Sequence, residues 1–140
     1  MQSITKLKPP NTRSSDIAFL NSPAFSQLGL PFSEIVRVGN MLYLSGQMGN
    51  LPGTLTLAPG GIEAQAKQTM MNIKASLEAH GYAMNNIVKC TVMLADMADW
   101  PVFNAVYTTF FDKPYPARSA FGANGLALGG LLEVEVIAAV

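Results

Sequence analysis

The sequence predicts an α+β domain in which two helices pack on one face of a mixed β-sheet. Three observations predict it: separated runs with period-two apolar alternation, two intervening stretches with helical periodicity, and turn residues at nearly every junction. The element order read from them is hairpin, helix, strand, helix, strand, strand. Residues 1–28 read as a turn-rich lead-in, with Pro9-Pro10, Asn11, Ser14-Ser15 and Asn21-Ser22-Pro23, and with Ile17, Phe19, Leu20 and Phe25 as candidate anchors. One domain is assigned to 29–140.

Glu34 to Val38, the turn Gly39-Asn40, and Met41 to Ser45 form the predicted hairpin. Gly46 follows it, at a point where backbone or ligand can approach closely. Residues 49–61 read as a loop with a short strand at Thr54-Leu55-Thr56-Leu57. Ile62 to His80 is the clearest helix, because Ile62, Ala66, Met70, Ile73 and Leu77 recur every three or four residues while Glu63, Lys67, Lys74 and Glu78 fall elsewhere. Gly81 ends it, and His80 is read as complementing the helix dipole there. A strand is predicted from Ile87 to Ala95, with Cys90 as a packed core thiol. Asp99 is the predicted N-cap of a second helix, with Pro101 in its first turn and an apolar stripe of Phe103, Val106, Tyr107 and Phe110. Pro114 stops that helix. The last strands are predicted at Ala117–Phe121 and Leu131–Ala139, on either side of a glycine-rich bend, Gly122–Gly130.

Composition narrows the function classes. The 140 residues suit one domain, and nine basic against nine acidic residues give no net field to attract nucleic acid or an acidic membrane. Only 13% of residues are charged, against about 25% in an average soluble domain. So few charges cover a small monomer poorly, which predicts a homo-oligomer with part of its surface buried. One cysteine and one histidine leave no intrachain disulfide, no cysteine-based zinc site and no two-histidine metal site. No segment approaches the roughly 18 continuous apolar residues of a membrane span, and no basic-then-apolar leader opens the chain, so a cytoplasmic location is expected.

Arg118 is the outstanding polar residue. It lies in Tyr115-Pro116-Ala117-Arg118-Ser119, and no further charge occurs before Glu133 and Glu135. A guanidinium in such an apolar stretch must be solvated, paired or bound to an anion. Its planar fork matches a carboxylate or phosphate, and a structural Arg–Glu pair at a subunit contact serves the same need. Dinucleotide and phosphate-loop glycine patterns are missing, as is a Gly-x-Ser-x-Gly nucleophile elbow. Arg118, Glu133, Glu135, Ser45, Gln47 and Asn104 are left. An arginine clamp with a carboxylate base suits hydrolysis of a small, already activated molecule.

These segments together resemble the RidA (YjgF/YER057c) family, one of whose older labels is a perchloric-acid-soluble endoribonuclease. The resemblance runs from Leu30 to Ala138 through Pro31-Phe32-Ser33, Gly39-Asn40, Leu44-Ser45-Gly46-Gln47 and Gly60-Gly61-Ile62-Glu63-Ala64-Gln65. It continues through Val88-Lys89-Cys90-Thr91-Val92, Asp96-Met97-Ala98-Asp99, Asn104-Ala105-Val106-Tyr107, Pro116-Ala117-Arg118-Ser119 and Glu133-Val134-Glu135. It implies a chorismate-mutase-like fold and a homotrimer whose sheets form a central barrel, with clefts between subunits. It also implies cofactor-independent hydrolytic deamination of reactive 2-enamines and 2-imines, of the 2-aminoacrylate or 2-iminobutanoate type, to 2-keto acids and ammonia. Arg118 would hold the substrate carboxylate and Glu133 would activate water. The Ala120 carbonyl would meet the imine nitrogen, with Gly46, Phe32 and Asn104 lining the cleft. Three positions depart from the family pattern: Phe32 replaces a common Tyr, Ala120 a common Cys, and Leu126-Ala127 a usual Leu-Pro. A non-catalytic trimer that senses or binds small carboxylates or keto acids is the alternative reading. RNA cleavage is disfavoured by zero net charge and a single His80.

Overall fold

The computed structural model describes residues 16–140; the Pro9-Pro10 and Ser14-Ser15 turns expected in the lead-in lie outside the described residues. Six strands form one sheet: β1 (Ile17–Leu20), β2 (Ile35–Val38), β3 (Met41–Leu44), β4 (Ile87–Leu94), β5 (Ala117–Gly122) and β6 (Leu132–Ala139), in the spatial order β1-β2-β3-β6-β4-β5. All neighbours are antiparallel except β4 and β5, which are parallel. A parallel pair needs a crossover, and α3 (Trp100–Tyr107) supplies it. The other helices are the single turn α1 (Pro23–Ser26) and the long α2 (Gly61–Ala79).

The mixed α+β architecture agrees with the sequence reading, and the differences are local. β1 was not foreseen: four residues with burial only at their ends show little periodicity, and pairing to β2 is what makes them a strand. Thr54–Leu57 is not a strand. One bridge joins Asn50 to Leu57; within the loop Thr54 Oγ1 donates to the Leu51 carbonyl at 2.8 Å, and Asn72 of α2 donates to the Asn50 carbonyl at 2.9 Å. Asp99 stands before α3 but makes no side-chain cap; Asp96 accepts from the Ala98 N–H at 2.9 Å and opens a 3₁₀ turn that leads into the helix. The helix itself ends at Tyr107, and Phe110 reaches the core from a following 3₁₀ turn. At Gly81, φ of 84° permits the left-handed backbone that terminates α2.

One face of the sheet holds the core. Ala66, Met70, Ile73 and Leu77 of α2 and Phe103, Val106 and Tyr107 of α3 pack on Leu42, Cys90, Val92, Leu94, Leu132, Val134 and Val136. Cys90 is fully buried, as expected, and burial raises its thiol pKa. The opposite face carries Val38, Tyr43 and Phe121 exposed, with Glu133 and Glu135 among them.

A buried carboxylate fastens the start of the described chain to α2. Glu34 is 4% exposed and accepts from the Ser22 N–H at 2.8 Å and from Ser76 Oγ at 2.6 Å, while His80 Nε2 lies 3.1 Å away. Its own N–H donates to Asn21 Oδ1 at 2.8 Å. His80 is therefore both the C-cap residue of α2 and a partner of Glu34. Burial acts to raise the Glu34 pKa, but the bonds from Ser76, Ser22 and His80 outweigh it and the net shift is downward from 4.5. A lowered folded-state pKa means the unfolded chain takes up the proton first, so this stabilisation is complete above pH 4.5 and is lost as pH falls through the folded value. Glu34→Gln is expected to cost about 1–3 kcal/mol at neutral pH. Urea unfolding of both proteins across the acid range should also show a shallower pH dependence in the variant.

Candidate active site

Arg118 is seated by α3. Its guanidinium carbon lies 4.6 Å from the ring centroids of both Trp100 and Tyr107, and Nη1 donates to Asn104 Oδ1 at 2.9 Å. Trp100, Asn104 and Tyr107 are spaced four and three apart, so one helix face presents all three to the strand. The two rings attract the cation electrostatically and fix the plane of the fork, and the amide fixes its rotation. Among the described residues, Arg118 pairs with no carboxylate. Tyr107 donates to Cys90 Sγ at 3.6 Å; burial and then that contact hold the phenol far above its usual pKa, so it stays neutral. The cleft before Arg118, about 450 Å³, is lined also by Asn104, Tyr107, Thr108, Tyr115 and Pro116. A guanidinium with donors left over, in a cleft lined by no acidic side chain, is suited to bind a small anion.

Glu133 belongs to a second cluster. Tyr43 of β3 pairs with Ile137, yet Gln47 pairs with Val134 through bonds of 2.8 and 2.9 Å. Four residues on one strand thus advance against three on the other, which makes a β-bulge around Ser45 and Gly46. Ser45 Oγ anchors it by donating to the Ser33 carbonyl at 2.6 Å. The Glu133 carboxylate lies against Gly46, in the space a Cβ would fill. Burial, and then the neighbouring charge of Glu135, push the Glu133 pKa up. A carboxylate with a raised pKa near a strand bulge is suited to proton transfer. Phe32 and Gly46 share the wall of an adjacent cavity.

The candidate residues therefore fall into two groups. Arg118 pairs with Cys90, Ala120 with Val92 and Glu133 with Met93, all against β4. Directly paired residues share a face and adjacent residues along a strand point to opposite faces, so Arg118 and Ala120 lie on the helix side while Glu133 lies on the other. The structure brings Asn104 to Arg118, and Gly46 and Phe32 into the region of Glu133. Within one chain it does not bring Arg118 and Glu133 together. Trp100 was not singled out by the sequence reading and Tyr107 was read only as core; the 100, 104, 107 spacing opposite a strand arginine was the available signal. Among the described residues, no group of three or more His, Cys, Asp or Glu is placed to hold a metal ion. No described helix is long and apolar enough to cross a membrane.

Fold and site together define a small α+β protein with a ring-stacked arginine, paired with no carboxylate among the described residues, on an edge strand and a carboxylate of raised pKa on the opposite sheet face. The chain belongs to the family described as Endoribonuclease L-PSP, which is the RidA (YjgF) family that the motifs resemble; the family's profile matches residues 25–140. The mouse protein named 2-iminobutanoate/2-iminopropanoate deaminase is 43% identical over 108 residues, covering 77% of this chain and 80% of that protein. Among solved structures, RidA from an Antarctic Psychrobacter species superposes with a TM-score of 0.76 at 42% identity, covering 79% of this chain and 89% of that one. Escherichia coli TdcF with bound serine gives 0.74 at 34% identity, with 79% and 89% covered.

Gly46→Ala tests the contact at the bulge. The added methyl meets the end of a flexible side chain, so the fold should survive with a stability change under about 1 kcal/mol, while a crystal structure should show the Glu133 carboxylate displaced. An unmoved carboxylate would show that the bulge does not position it.

Proposed function

We propose that this protein hydrolyses reactive 2-imino acids, and the 2-enamino acids that tautomerise to them, to 2-keto acids and ammonia. The observation that carries the proposal is Arg118, held by Trp100, Tyr107 and Asn104 with its remaining donors facing a cleft. The names of the 43% and 38% identical mouse and human relatives support the same reaction. In this reading, Arg118 binds the substrate carboxylate, which fixes the imine carbon. Asn104 orients the fork. Glu133 takes a proton from water as the water oxygen bonds to the imine carbon, and the proton is delivered to nitrogen. The hydroxyl on the resulting tetrahedral carbon then gives up its proton, relayed by Glu133 to the amine nitrogen, as the C=O bond forms and the C–N bond breaks, so that ammonia leaves with a keto acid behind it. The Ala120 carbonyl accepts a hydrogen bond from the imine nitrogen, and Gly46 and Phe32 line the opposite wall. Such a substrate is already activated, so positioning and one base suffice.

The separation of Arg118 from Glu133 leads to a second part of the proposal. The working cleft forms between two copies, with the Arg118–Asn104 half from one and the Gly46–Glu133–Phe32 half from its neighbour. The exposed apolar sheet face around Val38, Tyr43 and Phe121 supports association through that surface. A closed homotrimer with a central barrel, as in a chorismate-mutase-like assembly, gives every protomer an equivalent seam. The non-catalytic carboxylate sensor uses the same arginine, but the raised pKa of Glu133 favours turnover.

Keto-acid release from imines made in situ by an amino-acid oxidase tests the reaction. Arg118→Ala should lower kcat/KM by at least about a hundredfold, as for loss of two charge-assisted bonds of roughly 1.5–3 kcal/mol each; equal rates would sink the reading. Because the base form of Glu133 is required, activity should rise with pH through a value above the ordinary 4.5, and Glu135→Gln should move that limb to lower pH. Arg118→Ala and Glu133→Gln, each inactive alone, should regain turnover when unfolded and refolded as a mixture. No recovery would overturn the shared cleft.

A further inference from the structure

Of the residues that line the cavity beside Gly46, only Gly46 and Phe32 take part in the reaction as described. The cavity measures about 230 Å³ and its wall is mostly apolar: Phe25, Leu28, Leu30, Leu55 and Leu128 surround Gly46 and Met48. The two amides on it are already occupied. Gln47 Nε2 reaches Ser76 Oγ at 3.4 Å and Asn50 Nδ2 donates to the Thr54 carbonyl at 2.9 Å. The cavity therefore offers an apolar occupant contact without an unmet polar demand. Phe32, Leu55 and Leu128 stand exposed around its rim.

Leu128 adds an independent observation. It has φ of 61° and ψ of 13°, the only non-glycine residue with positive φ among the described residues. An L-residue with a Cβ is disfavoured there, and the Leu128 side chain is 52% exposed, so burial offsets only part of that cost. Gly125 and Gly129 in the same bend take positive φ without penalty, so a glycine would serve the turn. A strained backbone that aims an exposed leucine at a cavity mouth is the pattern of a ligand contact.

We propose that this cavity is the side-chain pocket of the substrate, and that it directs the enzyme to imines bearing branched or aromatic side chains, with Leu128 as a specificity residue. This rests on the deaminase reading, because Gly46 joins the cavity to the Glu133 carboxylate. A methyl side chain leaves most of the space empty, whereas an isobutyl or benzyl group displaces water from apolar walls.

Two measurements separate this proposal from the reaction on which it rests. Calorimetry with 4-methyl-2-oxopentanoate and with pyruvate should show tighter binding of the larger keto acid, by about tenfold or more, as for added methylenes in an apolar pocket. The same order should hold for kcat/KM with imines derived from leucine and from alanine. Leu128→Gly and Leu55→Ala should each shrink the binding ratio several-fold, with the melting temperature of Leu128→Gly at or above that of the parent. Equal affinity for the two keto acids overturns the proposal, as does a Leu128→Gly protein that loses stability along with preference. Intact binding preference without turnover of any imine would overturn the deaminase reading while leaving the pocket assignment standing.

Discussion

Residues two apart on a strand share a face of its sheet and residues one apart do not, and most of what is distinctive here follows from that constraint applied to β4. Its even positions, Cys90, Val92 and Leu94, are fully buried beneath the helices. Arg118, in register with Cys90, is therefore delivered to α3, where two rings and an amide receive it. Glu133, in register with Met93, is delivered to the face that has no helix. A guanidinium on one side and a carboxylate on the other cannot neutralise each other, so each keeps its charge chemistry for something else. A structural Arg–Glu pair within the chain is ruled out by the same geometry.

The electrostatics of the two halves differ in kind. Arg118 is held by quadrupoles and one neutral amide, which orient it without discharging it, and the neighbouring Tyr107 and Cys90 are kept neutral by burial. Glu133 gains basicity from desolvation and from Glu135, and the bulge at Ser45–Gly46 makes room for its carboxylate. One half is thus suited to clamp an anion and the other to accept a proton. Hydrolysis of a small imino acid needs both and little more.

The buried carboxylate of Glu34 does structural work at a distance from that chemistry. It joins Ser22, at the head of α1, to Ser76 and His80 near the end of α2. The segment so fastened contributes Phe25, Leu28, Leu30 and Phe32 to the cavity beside Gly46. Polar satisfaction in one place thereby sets the shape of an apolar surface in another.

Read alone, the chain determined its α+β class, the long helix, the hairpin, the core position of Cys90 and the candidate residues Arg118, Glu133, Gly46 and Asn104. These rest on periodicity, turn chemistry and short motifs, which are local. What only the tertiary structure decided is non-local. β1 is a strand because β2 pairs with it, since four residues carry too little pattern of their own. Asp96 caps where Asp99 was expected, because a 3₁₀ turn precedes α3 and shifts the first open N–H. The stacking of Trp100 on Arg118, the fastening of Glu34 and the placing of Arg118 and Glu133 on opposite faces all depend on register. Register is set by how distant strands meet, and no spacing along a single strand records it.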